Sequence, residues 1–145
     1  MSKAVSEVSV ETAQRFYEDA FAPWLHDLNI TVEEIGPKRA VLRMPFGAHL
    51  CREGGMICGQ ALMSLADTAM VFAMIGASGR VRPMTTVGQS TAMMKAVMDA
   101  DVIAEARVVR LGRTLAFGEI FLRPDGADDP AVHATSTVAL LPEKK

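Results

Sequence analysis

This sequence has little cysteine and no large excess of positive or negative charge. Each of these absences argues against a class of protein. The 145 residues include two cysteines, Cys51 and Cys58. Two are too few for a disulfide-stabilised scaffold, and their spacing matches no zinc pattern. The formal net charge of −2 gives no reason to expect a nucleic acid or an anionic membrane as partner. Residues 1–16 lack the apolar segment of a signal peptide, so we expect a cytoplasmic protein without a metal site.

Apolar side chains, by contrast, are abundant. Half of the residues are hydrophobic, and ten are methionine. By its length the chain, residues 1–145, is expected to form one domain, with a core at about residues 28–141. The surplus of apolar side chains hints at surface buried between subunits, and therefore at a homo-oligomer.

The longest uncharged stretch surrounds one acidic residue. Residues 54–79 contain a single charged side chain, Asp67. Within this stretch, residues 59–75 are predicted to form a helix that is buried nearly all round. Polar residues share a sector of about 100° on it: Gln60, Ser64, Asp67 and Thr68. A buried carboxylate is costly without a partner, which makes Asp67 a candidate site residue.

This stretch is also long enough to span a bilayer. However, an acid near the middle of a span costs about 2.5–3.5 kcal/mol on an insertion scale. Gln60 and Ser64 add to that cost. A buried core helix therefore fits the stretch better than a membrane span.

The remaining segments predict one further helix and about six strands. Residues 9–20 favour a helix that begins at the N-cap Ser9 and ends before Pro23. Alternating apolar residues predict strands at 28–35, 39–46, 84–97, 99–110, 113–124 and 131–141. The last four strands are expected to form consecutive antiparallel hairpins, in a sheet that curls around the central helix. One face of the strand at 84–97 is expected to carry Thr85, Val87, Gln89, Thr91 and Met93.

Two residues after the first helix have two possible roles. Trp24 and His26 lie in the loop Ala-Pro-Trp-Leu-His-Asp-Leu. They either line a pocket or cap the core.

On strand 131–141, His133 is predicted to point outward on the same face as Thr135 and Thr137. It is therefore expected at a surface or an interface.

Four segments in order resemble the hotdog-fold acyl-CoA thioesterases, in particular their phenylacetate-degradation branch. The segments are GGMICGQALMSLADTAM, TTVGQSTAMMKA, VVRLGRTLAFGEIFL and AVHATSTVAL. The resemblance implies an α+β fold in which about six antiparallel strands wrap one long central helix, with an added N-terminal helix. It also implies hydrolysis of an acyl-CoA thioester to the free acid and coenzyme A, with no cofactor beyond the coenzyme A of the substrate. Such proteins are homodimers or dimers of dimers with the site between subunits.

In this family an acidic residue nine positions after the His of a His-Gly-Gly loop does the chemistry. Counted back from Asp67, Cys58, Gly59 and Gln60 occupy the His-Gly-Gly positions. The resemblance implies that Asp67 is the general base or nucleophile and that the Gly59 N–H binds the thioester carbonyl. The structural alternatives are a capped carboxylate, with Ser64 or a backbone N–H as its partner, and close helix packing at Gly59.

Thr85 or Thr86 stands where the family often has a hydroxyl that positions water. Plain strand propensity is the alternative explanation for both threonines. The sequence leaves open which of the two would act.

Three residues depart from the family pattern, namely Cys58, Gln60 and Arg52. Arg52 stands where the family has Asn. Gly55 matches the glycine that the family has between that Asn and the His-Gly-Gly loop. Cys58 is either a small apolar filler or a nucleophile at a helix N-terminus, with His49 as the only nearby histidine in sequence. Arg52 either binds a carboxylate or phosphate of the substrate or faces solvent.

The resemblance also implies a phosphate-binding end for coenzyme A, formed by Lys95, Arg110, Gly112 and Arg113. Solvated hairpin tips are the alternative. The complete set of expected substrate- or coenzyme A-binding residues is Arg52, Gly55, Cys58, Gln60, Ser64, Lys95, Arg110, Gly112 and Arg113.

Two other functions stay open at this point. One is a non-catalytic protein that binds or senses acyl-CoA, consistent with the missing His. The other is a hotdog hydratase or dehydratase of enoyl thioesters, whose chemistry normally needs a His in the loop before the helix.

Overall fold

A computed structural model of the chain describes residues 8–143. Residues 1–7 and 144–145 lie outside the described residues. Both ends of the expected domain, residues 1–145, and part of the segment 1–16 therefore lie outside them as well. The helices and strands are α1 (Val10–Ala20), β1 (Thr31–Ile35), β2 (Ala40–Met44), α2 (Gly59–Ser78), β3 (Met84–Met93), β4 (Val102–Leu111), β5 (Leu115–Pro124) and β6 (Val132–Leu140). Two short 3₁₀ helices, Pro23–Leu28 and Ala48–Leu50, lie in the connections.

The six strands form one antiparallel sheet in the order β1-β2-β4-β5-β6-β3, and α2 packs against its inner face. This arrangement confirms the predicted α+β architecture. The prediction of four consecutive hairpins is wrong in one respect, because β3 pairs with β6 and not with β4. Alternation of apolar residues shows which face of a strand is buried, but it does not show which strand lies beside it.

Helix α1 begins where the sequence predicts. The Ser9 hydroxyl accepts a hydrogen bond from the Thr12 N–H at 3.1 Å, and the Thr12 hydroxyl accepts one from the Ser9 N–H at 2.9 Å. This reciprocal pair is a capping box. From the next turn, the Gln14 amide group accepts from the Val32 N–H at 2.8 Å and donates to the Ile30 carbonyl at 3.0 Å. Helix α1 therefore covers backbone groups along β1.

Helix α2 is the core of the fold, with twelve of its twenty residues buried. It extends three residues beyond the predicted end and stops at Gly79, whose φ of 73° is the left-handed conformation that favours glycine. Its length and composition would allow a membrane span, but 67% of its most apolar window is buried inside the fold. The core helix of a soluble protein has the same properties, so this observation is weak evidence for a span.

A β-bulge in β3 changes which threonine faces α2. The pairing with β6 shifts between Thr86 and Gly88, which leaves Val87 as the extra residue. An extra residue reverses the alternation of faces. Gln89, Thr91 and Met93 share the inner face as predicted, but Thr86 joins them in place of Thr85 and Val87. The prediction for Thr85 and Val87 is therefore wrong.

Candidate active site

The accessible side of α2 forms a stripe along the helix. Its members recur every three or four residues, as one face of a helix requires, and they are Gln60, Met63, Ser64, Asp67 and Val71. Asp67 is half-buried rather than buried. The prediction of a buried carboxylate is wrong for the single chain, because β3 and the segment that follows α1 cover this side of the helix only in part.

Asp67 has a hydroxyl partner on β3. The Thr86 hydroxyl donates to the Asp67 Oδ1 atom at 2.8 Å. Thr85 lies on the opposite face and is exposed. The Ser64 hydroxyl donates to the Gln60 carbonyl at 2.7 Å, so Ser64 is engaged within its own helix rather than as a cap of Asp67. Of the two candidate threonines, Thr86 is the one in contact with the acid.

The Asp67 side chain lines a small cleft of about 110 Å³, which we call the Asp67 cleft. It is lined by Phe21, Trp24, Leu25, Ser64, Asp67, Thr68 and Val71. Trp24 is 59% exposed, which favours the pocket-lining role over the core-capping one. His26 instead lies against α1, with its Nε2 atom 3.0 Å from the Tyr17 carbonyl oxygen.

The N-terminus of α2 presents free backbone donors. Cys58 is the N-cap residue, and its side chain caps nothing. The first intrahelical bond runs from the Leu62 N–H to the Cys58 carbonyl at 3.3 Å, and no acceptor within residues 8–143 binds the Gly59 N–H. A Cβ at Gly59 would meet only the Met93 methyl group, at an ordinary 3.5 Å. Close packing within the chain therefore does not explain the glycine, and the N–H is free for the expected role of oxyanion donor.

Gly59 borders a second cavity of about 340 Å³, which we call the Gly59 pocket. Two of the predicted binding residues line it as well, Arg52 and Lys95, together with Met56, Met93 and Met94. Lys95 makes only a distant ion pair, 3.7 Å from Asp129, and both side chains are largely exposed. The Gly59 pocket thus combines unpaired N–H groups with two cations, which suits an anionic or polar ligand.

Gly55 lies in the turn that leads into α2. Its φ is 83°, a conformation that favours glycine, and its N–H donates to the Arg52 carbonyl at 3.1 Å. This gives Gly55 a backbone role in shaping the loop that carries Arg52.

Both cysteines are free thiols and half-buried. The His49 ring Nε2 lies 2.6 Å from the Asp27 carbonyl oxygen, so that nitrogen is engaged away from Cys58. This geometry favours Cys58 as an apolar filler. In the part of the chain that the structure describes, no group of three metal-ligating side chains is found.

The loop before α2 is anchored by an ionic network. Asp101 accepts from the Phe46 N–H at 2.8 Å and from Arg43 at 2.9 Å. The Phe46 N–H, followed by the Arg43 guanidinium, lowers the pKa of Asp101 below its usual value. Arg43 also pairs with Glu33 and Asp125, and these carboxylates raise its pKa.

The other predicted cations lie far from the Gly59 pocket. Arg110 lies near the end of β4. Gly112 and Arg113 lie in the β4–β5 turn, where the Gly112 N–H donates to the Leu115 carbonyl at 2.9 Å. This turn adjoins the end of β6, whereas Lys95 lies beside its start. The nine residues of β6 put about 30 Å between them. The grouping of Lys95 with this turn is therefore wrong within one chain.

Gly59 and Asp67 are also separate. They are eight residues apart on α2, which corresponds to about 12 Å along the helix axis, and they open into different cavities. One chain therefore carries both predicted catalytic groups without bringing them together.

Comparison with known proteins decides the family. A family model described as the thioesterase superfamily matches residues 54–130, just over half of the chain. The chain belongs to the thioesterase superfamily. Membership in this superfamily supports thioester hydrolysis as the general chemistry. It also confirms the resemblance to hotdog-fold thioesterases, while the phenylacetate-degradation branch stays a prediction. A search of curated protein sequences found no match.

Several solved structures share the fold of this chain. A conserved protein of Pseudomonas aeruginosa is 29% identical with a TM-score of 0.79, over 86% of this chain and 98% of its own. The zebra fish thioesterase superfamily member 2 is 21% identical with a TM-score of 0.82, over 93% and 100%. A thioesterase from Haemophilus influenzae is 16% identical with a TM-score of 0.82, over 92% and 91%. At the identities of the last two, the likeness shows the fold alone.

Sequence reasoning missed part of the Asp67 cleft. Phe21, Leu25 and Val71 line it, and none of them was a candidate. Phe21 and Leu25 lie outside the regular periodicity of helices and strands, so no pattern marks them. Val71 looks like one more core residue of an apolar helix.

Proposed function

We propose that the protein hydrolyses acyl-CoA thioesters at a site shared by two copies of the chain, with Asp67 of one copy opposite Gly59 of the other. The observation that carries this proposal is the separation of the two groups on α2, each at its own cavity. A dimer with a two-fold axis between antiparallel α2 helices would place them together twice, because a two-fold contact is reciprocal.

Strand β3 is the edge through which we propose that the copies join. Its ten residues contain no charge and no proline. The opposite edge, β1, is five residues long, has a bulge and two glutamates, and lies under Gln14 of α1. Edge strands without such protection pair readily with another chain. The apolar Val87 on β3 is 62% exposed, which suits the same interface.

The proposed chemistry starts at the carboxylate. Asp67 either removes a proton from a water molecule that attacks the thioester carbonyl carbon or attacks that carbon itself. Thr86, bonded to Asp67 Oδ1, orients the carboxylate or the water. The negative charge that develops on the carbonyl oxygen is stabilised by the Gly59 N–H and by the positive end of the α2 dipole. The C–S bond then breaks, and the departing thiolate takes up the proton that water has given up. If Asp67 is the nucleophile, the product of this step is an acyl-Asp67 anhydride, which a water molecule then hydrolyses to the free acid and the regenerated carboxylate.

Coenzyme A is proposed as the carrier because cations border the oxyanion donor. Arg52 and Lys95 lie on the Gly59 pocket and would attract phosphate groups. Arg110 and Arg113, at the β4–β5 turn, are proposed as an additional phosphate contact across the assembled oligomer. No cofactor beyond the coenzyme A of the substrate is part of this proposal, nor is a nucleic acid or a membrane, and we place the protein in the cytoplasm.

A non-catalytic acyl-CoA-binding protein is the second candidate. Cys58 occupies the position where the family has a histidine, and the engagement of His49 with Asp27 leaves that position without a substitute. Binding of acyl-CoA without release of thiol would favour this function.

Two experiments test the proposal. First, the protein is incubated with short-chain, medium-chain and aryl acyl-CoAs while the released thiol is titrated. Second, Asp67→Asn and Gly59→Pro variants are assayed alone and after co-refolding as a mixture. Because a mixed dimer would contain one intact site, the mixture should regain about a quarter of wild-type activity. Absence of thiol release from every substrate would overturn hydrolysis, and a mixture as inactive as its components would overturn the shared site.

A further inference from the structure

A larger cavity lies next to the Asp67 cleft. Its volume is about 580 Å³, within the range of roughly 300–1,000 Å³ typical of ligand sites. We call it the Arg82 pocket. It lies between the end of α1 and the segment that enters β3. Phe21 and Val71 line both this pocket and the Asp67 cleft, so the two cavities share a wall.

The Arg82 pocket has apolar walls and one charged group. Phe16, Phe21, Val71 and Met84 are among its lining residues, and Arg82 is the only ionisable one within the described chain. The Arg82 Nε atom is buried and has no hydrogen-bond partner. No ion pair or hydrogen bond to the rest of its guanidinium group is found within residues 8–143. Arg82 as a whole is half-buried. A buried donor without a partner is costly, so the Nε–H group is open to an acceptor on a ligand.

Glu143 does not fill that role. Glu143 lies close enough for Arg82 to contribute to lowering its pKa, but the larger cause is its hydrogen bond to Arg80. Arg80 and Glu143 form a salt bridge at the surface, each about half exposed. Two neighbouring arginines thus differ: Arg80 is paired and Arg82 is not.

The position of the pocket relates it to the reacting group. Val71 lies one helical turn beyond Asp67 on the same face of α2. A thioester whose carbonyl lies at Asp67 would therefore extend its acyl chain past Val71 into the Arg82 pocket. Arg82 precedes Thr86 by four residues, which span at most about 14 Å, and a medium-chain acyl group fits within that length.

We propose that the preferred substrates are medium-chain acyl thioesters with a carboxylate at the far end, and that Arg82 binds this carboxylate. The inference rests on the proposed function for the direction of the acyl chain. A guanidinium group suits a carboxylate because its N–H groups match the two oxygens in a planar pair. The apolar walls would hold the methylene chain between the two polar ends.

The test compares substrates of equal length. Suberoyl-CoA and octanoyl-CoA both have eight-carbon acyl groups and differ in the terminal carboxylate, so the measured quantity is the ratio of their kcat/KM values. We expect the wild type to favour suberoyl-CoA and Arg82→Gln to lower the ratio about ten- to a hundredfold. Arg82→Lys should restore part of the preference, and the matched control Arg80→Gln should keep the wild-type ratio.

A binding measurement separates this inference from the proposed function. Non-hydrolysable thioether analogues of both substrates are titrated against wild type and Arg82→Gln by calorimetry. Suppose that neither thioester is hydrolysed, but the analogue with the terminal carboxylate binds the wild type more tightly than the other analogue does, and Arg82→Gln abolishes this difference. Hydrolysis is then overturned and the carboxylate site stands. A wild type that hydrolyses octanoyl-CoA as well as or better than suberoyl-CoA, or an equal ratio in Arg82→Gln, would overturn the carboxylate site alone.

Discussion

The two cavities along α2, the Gly59 pocket at the donor end of the proposed site and the Asp67 cleft at its acidic end, differ in chemical character. The Gly59 pocket has free N–H donors, two cations and flexible methionine side chains. The Asp67 cleft has a carboxylate, a hydroxyl that donates to it, and aromatic walls. Each end has what the other lacks for acyl transfer, since one stabilises an oxyanion and the other supplies a base. A helix that carries complementary halves about 12 Å apart is suited to completion by a second, oppositely directed copy.

The largest effect is expected at the acidic end. Asp67→Asn keeps the shape of the side chain but removes the base, so kcat should fall about 10²–10⁴-fold. Asp128→Asn, at the exposed β5–β6 turn, is the matched control and should retain wild-type kcat. Unchanged thiol release by Asp67→Asn would remove the chemical distinction between the two ends.

The donor end can be tested by deleting one hydrogen. Proline is accepted at the first position of a helix, and Cys58 already has the extended backbone (φ −68°, ψ 149°) that a following proline requires. Gly59→Pro should therefore leave the helix intact and lower kcat about 10²–10³-fold through loss of the N–H. Gly59→Ala keeps the N–H and should stay within a few-fold of wild type. Equal activities of the two variants would show that the N–H plays no part.

Separating the two copies should disable both ends at once. Val87→Lys places a charge on the unprotected β3 edge, so the dimer dissociation constant should rise at least tenfold as measured by sedimentation equilibrium. Activity per chain should fall in parallel as the protein is diluted. Val109→Lys, at an equally exposed valine on β4 (63%), should leave the oligomeric state unchanged. A Val87→Lys variant that stays dimeric would place the interface elsewhere.

A smaller effect is expected from the hydroxyl that touches the acid. Thr86→Val removes the hydrogen bond to Asp67 and should lower kcat about tenfold. Thr85→Val changes the same side chain on the opposite face of the sheet and should have little effect. If Thr85→Val proves the more damaging of the two, the arrangement given by the bulge at Val87 is not the functional one.

The smallest effect concerns stability and involves only the donor end. The pKa of Asp101 is lowered in the folded chain, so its stabilisation is present above its unfolded pKa and is lost as the pH falls through its folded pKa. Asp101→Asn should lower the free energy of unfolding by less than about 1 kcal/mol near pH 7, since the group is partly exposed. The difference in the free energy of unfolding between wild type and Asp101→Asn should shrink when urea denaturation is repeated at acidic pH. A difference that grows as the pH falls would contradict this assignment.

Much of the fold was predictable because its signals are local. Ser9 begins α1 through bonds to Thr12 three residues away. The apolar run gave the start of α2 at Gly59, although the helix ends three residues beyond the predicted position. The six strands follow from alternating burial. Asp67 was a candidate because a lone charge in an apolar helix is costly without a partner.

Other features depend on contacts between distant segments. The choice of Thr86 over Thr85 came from one extra residue in the pairing of β3 with β6, which no pattern in residues 84–97 signals. The aromatic side of the Asp67 cleft came from Phe21 and Trp24, which fold back onto α2 from a segment without periodicity. The Arg82 pocket likewise forms only where α1, α2 and the start of β3 meet.

The sequence by itself determined which groups are present and approximately where each helix and strand lies, because capping and periodicity are properties of neighbouring residues. Only the tertiary structure decided which groups meet. It joined Asp67 to Thr86, left the Gly59 N–H open beside Arg52 and Lys95, and kept these two ends apart on one helix. The physical reason is that strand register and edge exposure are set by the packing of the whole sheet around α2, to which every strand contributes.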